Sequence, residues 1–353
     1  MNLNDTQAFL ALDKQNMLSH INALPDQIHQ AWELGNASPL PAWDQVQQIV
    51  IAGMGGSAIG GDLLSAYILP FCRVPVVVHR DYSLPAWAHG PQTLVIASSH
   101  SGNTEEVLDA FNQAQARSCR LLAITTGGTL ARQAEAAGIP IWRFEHKGQP
   151  RAAVGFSFCL LLAVLTRLGL VPDPASEVDE AISAMRLQQE QIQASVPDVR
   201  NPAKRLAGQL VGRVVTVIGS DVLAPVARRW KGQINELAKA WGSYDSIPEA
   251  DHNSLAGSLN PPESLGKIVV VFLRAPSDHP RNRKRAELTR KILMLNGIGT
   301  DFHDARGESR LANLWTALHY GDYTGYYLAM AYEVDPSPVD AIESFKKALD
   351  SQS

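Results

Sequence analysis

The residues best equipped for chemistry follow Ala97 in an unbroken run, Ser98-Ser99-His100-Ser101-Gly102-Asn103-Thr104, with Glu105 and Glu106 behind them. Ser99, Ser101 and Thr104 offer hydroxyl donors around a glycine, a set suited to cradling a compact oxyanion such as phosphate. Their setting supports this. Thr93 to Ala97 is short, apolar and β-branched, as a buried parallel strand is, whereas Val107, Leu108, Ala110, Phe111 and Ala114 recur at helical spacing. The hydroxyls therefore sit in a strand-to-helix turn, where free amides of the first helical turn and the positive end of the helix dipole favour an anion. Asn103 with Glu106 three residues on also fits a capping box, so a well-capped helix start explains the same residues without a ligand.

A second turn of related character comes earlier. Gln48 to Ala52 reads as a strand, Gly53-Met54-Gly55-Gly56-Ser57-Ala58 as a tight turn and Ile59 to Leu69 as a helix. Gly53-x-Gly55-x-x-Ala58 is a permitted dinucleotide fingerprint, but that reading needs an acidic ribose partner about 20 residues on. The next strand ends in Val78-His79-Arg80-Asp81, where Asp81 comes late and Arg80 is ambiguous. Two hydroxyl-bearing turns after separate strands suit one phosphate held by two loops, which favours a sugar phosphate over a dinucleotide.

The elements that must position these loops alternate. Further strands are expected at Pro75–Val78, Arg120–Thr125 and Ile139–Trp142, with a short helix over Leu130–Ala137. Val154 to Leu165 forms an apolar helix, Val171-Pro172-Asp173-Pro174 marks a boundary, and a Gln-rich helical stretch runs to Ala194. Strand, glycine turn and helix then begin again at Val211–Ser220, with a further strand at Lys267–Leu273. Leu311 to Val334 reads as a long helix and Val339 to Leu349 as a terminal one. The expected fold class is α/β, two doubly wound parallel-sheet domains with flanking N- and C-terminal helices. The boundaries are N-terminal helices over 1–45, a first domain over 46–168, a connecting helix over 169–205, a second domain over 206–335 and a C-terminal helix over 336–353.

A chain of 353 residues can bury two cores. With 45% hydrophobic and 19% charged residues and a net charge of −4, it reads as globular, neither disordered nor a broadly basic nucleic-acid binder. Cys72, Cys119 and Cys159 lack metal-ligand or redox spacing and are expected as buried free thiols in a reducing compartment. No basic flank leads into an apolar region at the start, and no apolar run approaches the roughly 20 residues of a membrane span, so a cytoplasmic protein without membrane contact is expected.

The two hydroxyl loops resemble those of the sugar isomerase (SIS) domain. With Gln149-Pro150-Arg151-Ala152-Ala153, Trp230 to Lys239, Ile247-Pro248-Glu249-Ala250-Asp251-His252-Asn253 and Ile342-Glu343-Ser344-Phe345-Lys346, the chain resembles the bifunctional phosphoglucose/phosphomannose isomerase family over about residues 48 to 348. The resemblance implies two SIS domains and a homodimer whose active sites lie between domains and take a residue from the neighbouring subunit. It implies interconversion of glucose 6-phosphate, and of mannose 6-phosphate, with fructose 6-phosphate through a cis-enediol, needing no cofactor and no metal. Glu236 would be the carboxylate base that moves a proton between C1 and C2. His252, supplied across the dimer, would open the sugar ring, and Lys346 would assist it, with Lys347 the neighbouring alternative. Arg151 would stabilise the enediolate. Gly55, Gly56, Ser57, Ser99, Ser101 and Thr104 would bind the phosphate.

The sequence departs from the family pattern at particular positions. His100 stands where Tyr is usual, Asp251 where a second His is familiar, and Leu237 completes Asn-Glu-Leu in place of Asn-Glu-Asn. Val339, seven residues before Lys346, replaces a Thr thought to make room for the mannose epimer, so the glucose reaction is the firmer expectation. An isomerase of another phosphosugar, or an SIS sensor that binds without catalysis, remain the alternatives.

Overall fold

The structure is a computed structural model that describes residues 2–351. Helices α1 (Thr6–Leu12), α2 (Met17–Asn22) and α3 (Leu24–Ala37) open the chain. The first α/β unit follows as β1 (Gln48–Ala52), α4 (Gly55–Ile68), β2 (Val76–His79), β3 (Thr93–Ser99), α5 (Glu105–Ala116), β4 (Arg120–Thr125), α6 (Gly128–Ala136) and β5 (Ile141–Arg143). A 3-10 turn at Pro150–Ala153 leads into α7 (Val154–Arg167), then α8 (Ala175–Ile192) and α9 (Pro202–Leu210). The second unit comprises β6 (Val214–Ser220), α10 (Ala224–Glu236), β7 (Gly242–Ile247), α11 (Pro262–Leu265), β8 (Ile268–Arg274), α12 (Pro280–Leu295) and β9 (Gly299–Asp304). Helices α13 (Arg310–Ala331) and α14 (Asp340–Asp350) close it.

Both sheets are parallel throughout, in the orders β2-β1-β3-β4-β5 and β7-β6-β8-β9. In the first, Ile49, Ile51, Leu94 and Ile96 pack towards α4, while Val50, Ala52, Val95 and Ala97 pack towards Val107, Ala110 and Phe111 of α5. The sheet is thus covered on both faces, and its strand order reverses between β1 and β3. Ala52 lies opposite Ala97, so the two hydroxyl loops leave neighbouring strands at one level, at the switch point where doubly wound sheets bind ligands. The second sheet is built the same way, with Val215, Val217, Val269 and Val271 on one face and Ile218, Val270 and Phe272 on the other. The α/β class and its two doubly wound units therefore stand as the sequence implied.

One continuous core joins the units through α7, α8, α9, α10 and α13. Every residue from Val154 to Leu165 of α7 is buried. Residues 150–167, at mean hydropathy 1.4, are long and apolar enough to cross a membrane. That corrects the expectation that no run approaches such a length, and the packing of α7 between α3 and α4 explains its composition as that of a core helix. Leu311 to Met330 of α13 are likewise all buried.

Local differences from the sequence reading have simple causes. Helix α4 begins at Gly55, four residues before Ile59, which puts Ser57 in its first turn. The capping box is not formed. Thr104 holds the N-cap position of α5, and Asn103 Oδ1 instead accepts from the amide and hydroxyl of Thr129, both at 3.0 Å. Strands β7 and β9 carry polar and charged residues and lie at the edges of their sheet, so no apolar run announces them. Of the three unpaired cysteines Cys159 is buried, while Cys72 and Cys119 are only half-buried.

Candidate active site

The hydroxyl loop is organised by its own side chains. Ser99 ends β3, its Oγ lies 2.9 Å from Thr104 Oγ1, and it accepts the Gly102 amide at 3.1 Å. Ser101 Oγ accepts the Asn103 amide at 3.2 Å. As N-cap, Thr104 makes no side-chain cap bond and turns its hydroxyl to Ser99. After the neighbouring strand, at the start of α4, Gly55 takes a φ of +49°, and a Cβ on Gly56 would stand 2.6 Å from the carbonyl oxygen of Pro150. The glycines therefore let the N-terminus of α4 press against the turn that carries Arg151.

Arg151 is 4% exposed and is the centre of the site. Its Nη1 donates to Glu236 Oε2 at 3.2 Å, and its Nη2 donates to the carbonyls of Pro336 and Ser337 at 2.9 and 2.5 Å. Burial pulls its pKa below the ordinary value, and Glu236 acts in the opposite sense. Arg151 Nε has no hydrogen-bond partner among the described residues. A guanidinium so held offers a fixed positive charge in a dry place, where charge stabilisation is strongest.

Glu236 is the last residue of α10, and a third of its side chain is exposed. The helix is fixed from behind. Arg229 grips Asp322 of α13 through two bonds of 3.2 and 2.9 Å, and Gln233 donates to the same carboxylate at 2.8 Å. Glu236 opens onto two hollows. One of about 320 Å³ lies between the units and is lined by Met54, Gly55, Gly56, Arg80, Arg228 and Lys231, together with Arg151. The other, of about 610 Å³, is lined by Lys239, Val334, Pro338, Val339 and Ile342. In the first hollow the cations Arg80, Arg151, Arg228, Arg229 and Lys231 face Glu236 as the single lining carboxylate, a balance that attracts a phosphate ester.

Apart from Arg151, these cations, like Lys239 of the second hollow, escape the sequence reading. Arg80 enters there only as an ambiguous ribose partner. In the fold it shares the Asp62 carboxylate with Arg228, whose Nη1 lies 3.1 Å from it. Lys231 and Lys239 lie inside the motif that carries Glu236, and nothing in the motif sets them apart. Lys239 Nζ donates to the Glu236 carbonyl at 2.6 Å, and burial with Arg151 nearby lowers its pKa.

Of the four candidate catalytic residues, the single chain brings Arg151 and Glu236 together and leaves the other two apart. His252 is exposed at the end of a 3-10 turn, Glu249–His252, and lines neither hollow. Its neighbour Asp251 is held by Arg285 at 3.0 Å and Thr289 at 2.6 Å. Lys346, like Lys347, stands on α14, whose side chains from Ala341 to Leu349 are all exposed. Val339 lies in the hollow with Glu236. Among the described residues no group of three or more His, Cys, Asp or Glu is placed to hold a metal ion.

The corresponding end of the second sheet is built differently. Ser220 donates its hydroxyl to Asp278 at 3.1 Å, Asp278 accepts the Ala275 amide at 2.7 Å, and Asp221 pairs with Arg310 at 2.7 Å. Carboxylates occupy that switch point, which disfavours an anion there. The hydroxyl-bearing switch-point loops are therefore a feature of the first unit, whereas the second contributes Arg228, Arg229 and Lys231 to the hollow between the units.

Comparison with known proteins agrees with this geometry. The SIS domain model matches residues 44–142, and the model of the bacterial phospho-glucose isomerase C-terminal SIS domain matches residues 199–349. A hypothetical protein of Thermus thermophilus shares the fold at a TM-score of 0.74 and 17% identity, over 98% of this chain and 94% of its own. A bifunctional phosphoglucose/phosphomannose isomerase of Aquifex aeolicus is 34% identical over 85% of this chain and 90% of its own length. One of the same description from Caldicellulosiruptor bescii is 39% identical over 337 residues, 94% of this chain and 98% of the relative. With two SIS units, an arginine and a carboxylate meeting between them, and likeness along nearly its whole length, the chain belongs to the bifunctional phosphoglucose/phosphomannose isomerase family.

Proposed function

We propose that the protein interconverts glucose 6-phosphate and mannose 6-phosphate with fructose 6-phosphate through a cis-enediol, without a metal ion. The observation that carries this reading is the contact between Arg151 and Glu236. Aldose–ketose isomerisation moves one proton between C1 and C2 and places negative charge on the C1 and C2 oxygens. Glu236 abstracts and returns the proton from one face, and Arg151 holds the developing oxyanion. Such positioned acid–base groups contribute about 10²- to 10⁴-fold in rate. Ser57, Ser99, Ser101 and Thr104, with the Gly55 and Gly56 backbone, take the phosphate.

The site is completed in a homodimer. His252 of the partner subunit shuttles protons at the ring oxygen, and Lys346 supports ring opening. This reading is supported by the exposure of both residues away from Glu236 in the single chain. It is also supported by the uncovered apolar face of α14, where Ile342, Phe345 and Leu349 are 43%, 66% and 48% exposed. Three unpaired cysteines suit the cytoplasm, and the enzyme works there without nucleic-acid or membrane partners.

The test is a coupled assay on fructose 6-phosphate with EDTA present, following glucose 6-phosphate and mannose 6-phosphate separately. Formation of both is expected. Glucose 6-phosphate alone would narrow the function, and neither product despite phosphosugar binding would favour another phosphosugar substrate or a sensor.

A further inference from the structure

The phosphate loop and the Arg151 turn come from different places, the first after β3 and the second after β5, two strands further along the sheet. A ligand that spans them needs their separation fixed. One side-chain bond joins the two segments directly. His100, between Ser99 and Ser101, sets its Nε2 3.0 Å from Nδ1 of His146, five residues before Arg151.

The bond is built in from both sides. The His100 carbonyl accepts the Thr126 amide at 3.2 Å and its hydroxyl at 2.7 Å, which fixes the loop backbone to the end of β4. The His100 ring meets Phe144 edge-on at 5.8 Å, and Phe144 stacks on Phe156 at 4.8 Å. His146 meets Phe156 edge-on at 6.4 Å and the His20 ring of α2 at 5.2 Å. A Cβ at Gly148 would stand 2.8 Å from that His20 ring, so the segment running to Arg151 is pressed against α2 as well. His146 Nε2 is buried with no hydrogen-bond partner among the described residues, which leaves the contact to His100 as the polar reason for this ring to be here. Burial lowers the pKa of both rings, His146 to about 4 with His100 and His20 adding to the effect. At neutral pH the two are uncharged and can act as donor and acceptor.

We propose that His100 and His146 are positioning residues for the phosphosugar: their bond holds the phosphate loop at a set distance from the Arg151 turn, and thereby places the sugar carbons against Arg151 and Glu236. This rests on the sugar-phosphate reading of the site, and it assigns the His100 and His146 rings to neither the phosphate nor the proton transfer.

The test uses two ligands of different reach on the intact protein. Glucitol 6-phosphate, which cannot isomerise, spans the loop and the Arg151 turn, whereas inorganic phosphate reaches only the loop. His100→Phe and His146→Phe keep an aromatic ring in the packing and remove the bond. The Kd for glucitol 6-phosphate is expected to rise about tenfold in each, the usual scale of one preorganising hydrogen bond, and no further in the double variant. The Kd for inorganic phosphate is expected to stay within about threefold, and Tm to stay at the wild-type value. His100→Gln, which keeps a donor and an acceptor, recovers most of the loss. Parallel weakening of both ligands, additive effects in the double variant, or no change would overturn the proposal. Because these are binding measurements, a wild-type protein that fails to turn over fructose 6-phosphate counts against the isomerase reading and leaves this test standing.

Discussion

Arg151 and Glu236 belong to different α/β units and meet at 3.2 Å across the cleft between them. Arg151 is anchored to the backbone carbonyls of Pro336 and Ser337, and α10, which ends at Glu236, is anchored to Asp322. The separation of the proposed base from its charge partner is thus set by how the two units pack around their shared core. Neither unit alone would hold both.

Replacing Glu236 by Gln removes the base while leaving an acceptor oxygen for Arg151. Turnover of fructose 6-phosphate is expected to fall by at least about 10²-fold, with Kd for glucitol 6-phosphate within about threefold of wild type. Parallel assay and calorimetry check it. A sensor protein would show no turnover to lose, and a purely structural Glu236 would alter Tm in step with activity.

The hydroxyl loop of this candidate site is legible in the sequence because it is local. The hydroxyl loop is written contiguously from Ser99 to Thr104, and strand, turn and helix periodicities on either side of it fix its place in the sheet. Arg151 and Glu236 are legible only through family resemblance, since neither a domain-boundary arginine nor a helix-end glutamate is distinctive by itself. Arg80, Arg228 and Lys231 escape because their meaning is tertiary: they become a cluster only when α4, α10 and the loop after β2 converge. Strands β7 and β9 escape for a related reason, as edge strands can carry Asp245, Asp301 and Asp304 without a continuous apolar signal.

Val339 lies in the same hollow as Glu236, at the N-cap of α14. Valine and threonine are close in size, but only threonine can hydrogen-bond water or a sugar hydroxyl. Val339→Thr is therefore expected to raise the ratio of mannose 6-phosphate to glucose 6-phosphate formed from fructose 6-phosphate, by about threefold to tenfold for one new hydrogen bond. Product analysis at equal enzyme concentration checks it. An unchanged ratio would mean that the rotation about C2–C3 is governed elsewhere.

Acid should weaken the fold through its buried imidazoles, among which His303 and His319 act beside His146. His303 stacks on Tyr320 at 3.9 Å, and burial lowers its pKa to about 3; His319 holds the Ile21 carbonyl at 2.8 Å, and burial lowers its pKa to about 4. The unfolded chain takes up these protons near pH 6.5, before the folded one does. Stability is therefore full above about pH 6.5 and declines as pH falls towards 4 and 3, by up to about 1.4 kcal/mol per pH unit for each group. Urea titrations from pH 7.5 to 4.5 check the slope, and His303→Phe, which keeps the stacking, should flatten it. A slope unaffected by that variant would place the acid sensitivity in other groups.

The dimer reading makes a prediction that no property of a single chain can mimic. If His252 acts across the interface, Glu236→Gln and His252→Ala protomers are each poorly active as homodimers. A mixed dimer then regains one intact site, with Glu236 from one protomer and His252 from the other. Random re-pairing makes half the dimers mixed, each with one working site of two, so about one quarter of wild-type activity should return. Phe345→Glu, which puts a charge on the exposed apolar face of α14, should lower recovery if that face seals the dimer. Native mass spectrometry with one variant isotope-labelled, run beside the assay, shows whether protomers have exchanged. Exchange without recovered activity would mean either that His252 takes no part, or that it serves its own chain, in which case the turn carrying it must move to reach Glu236.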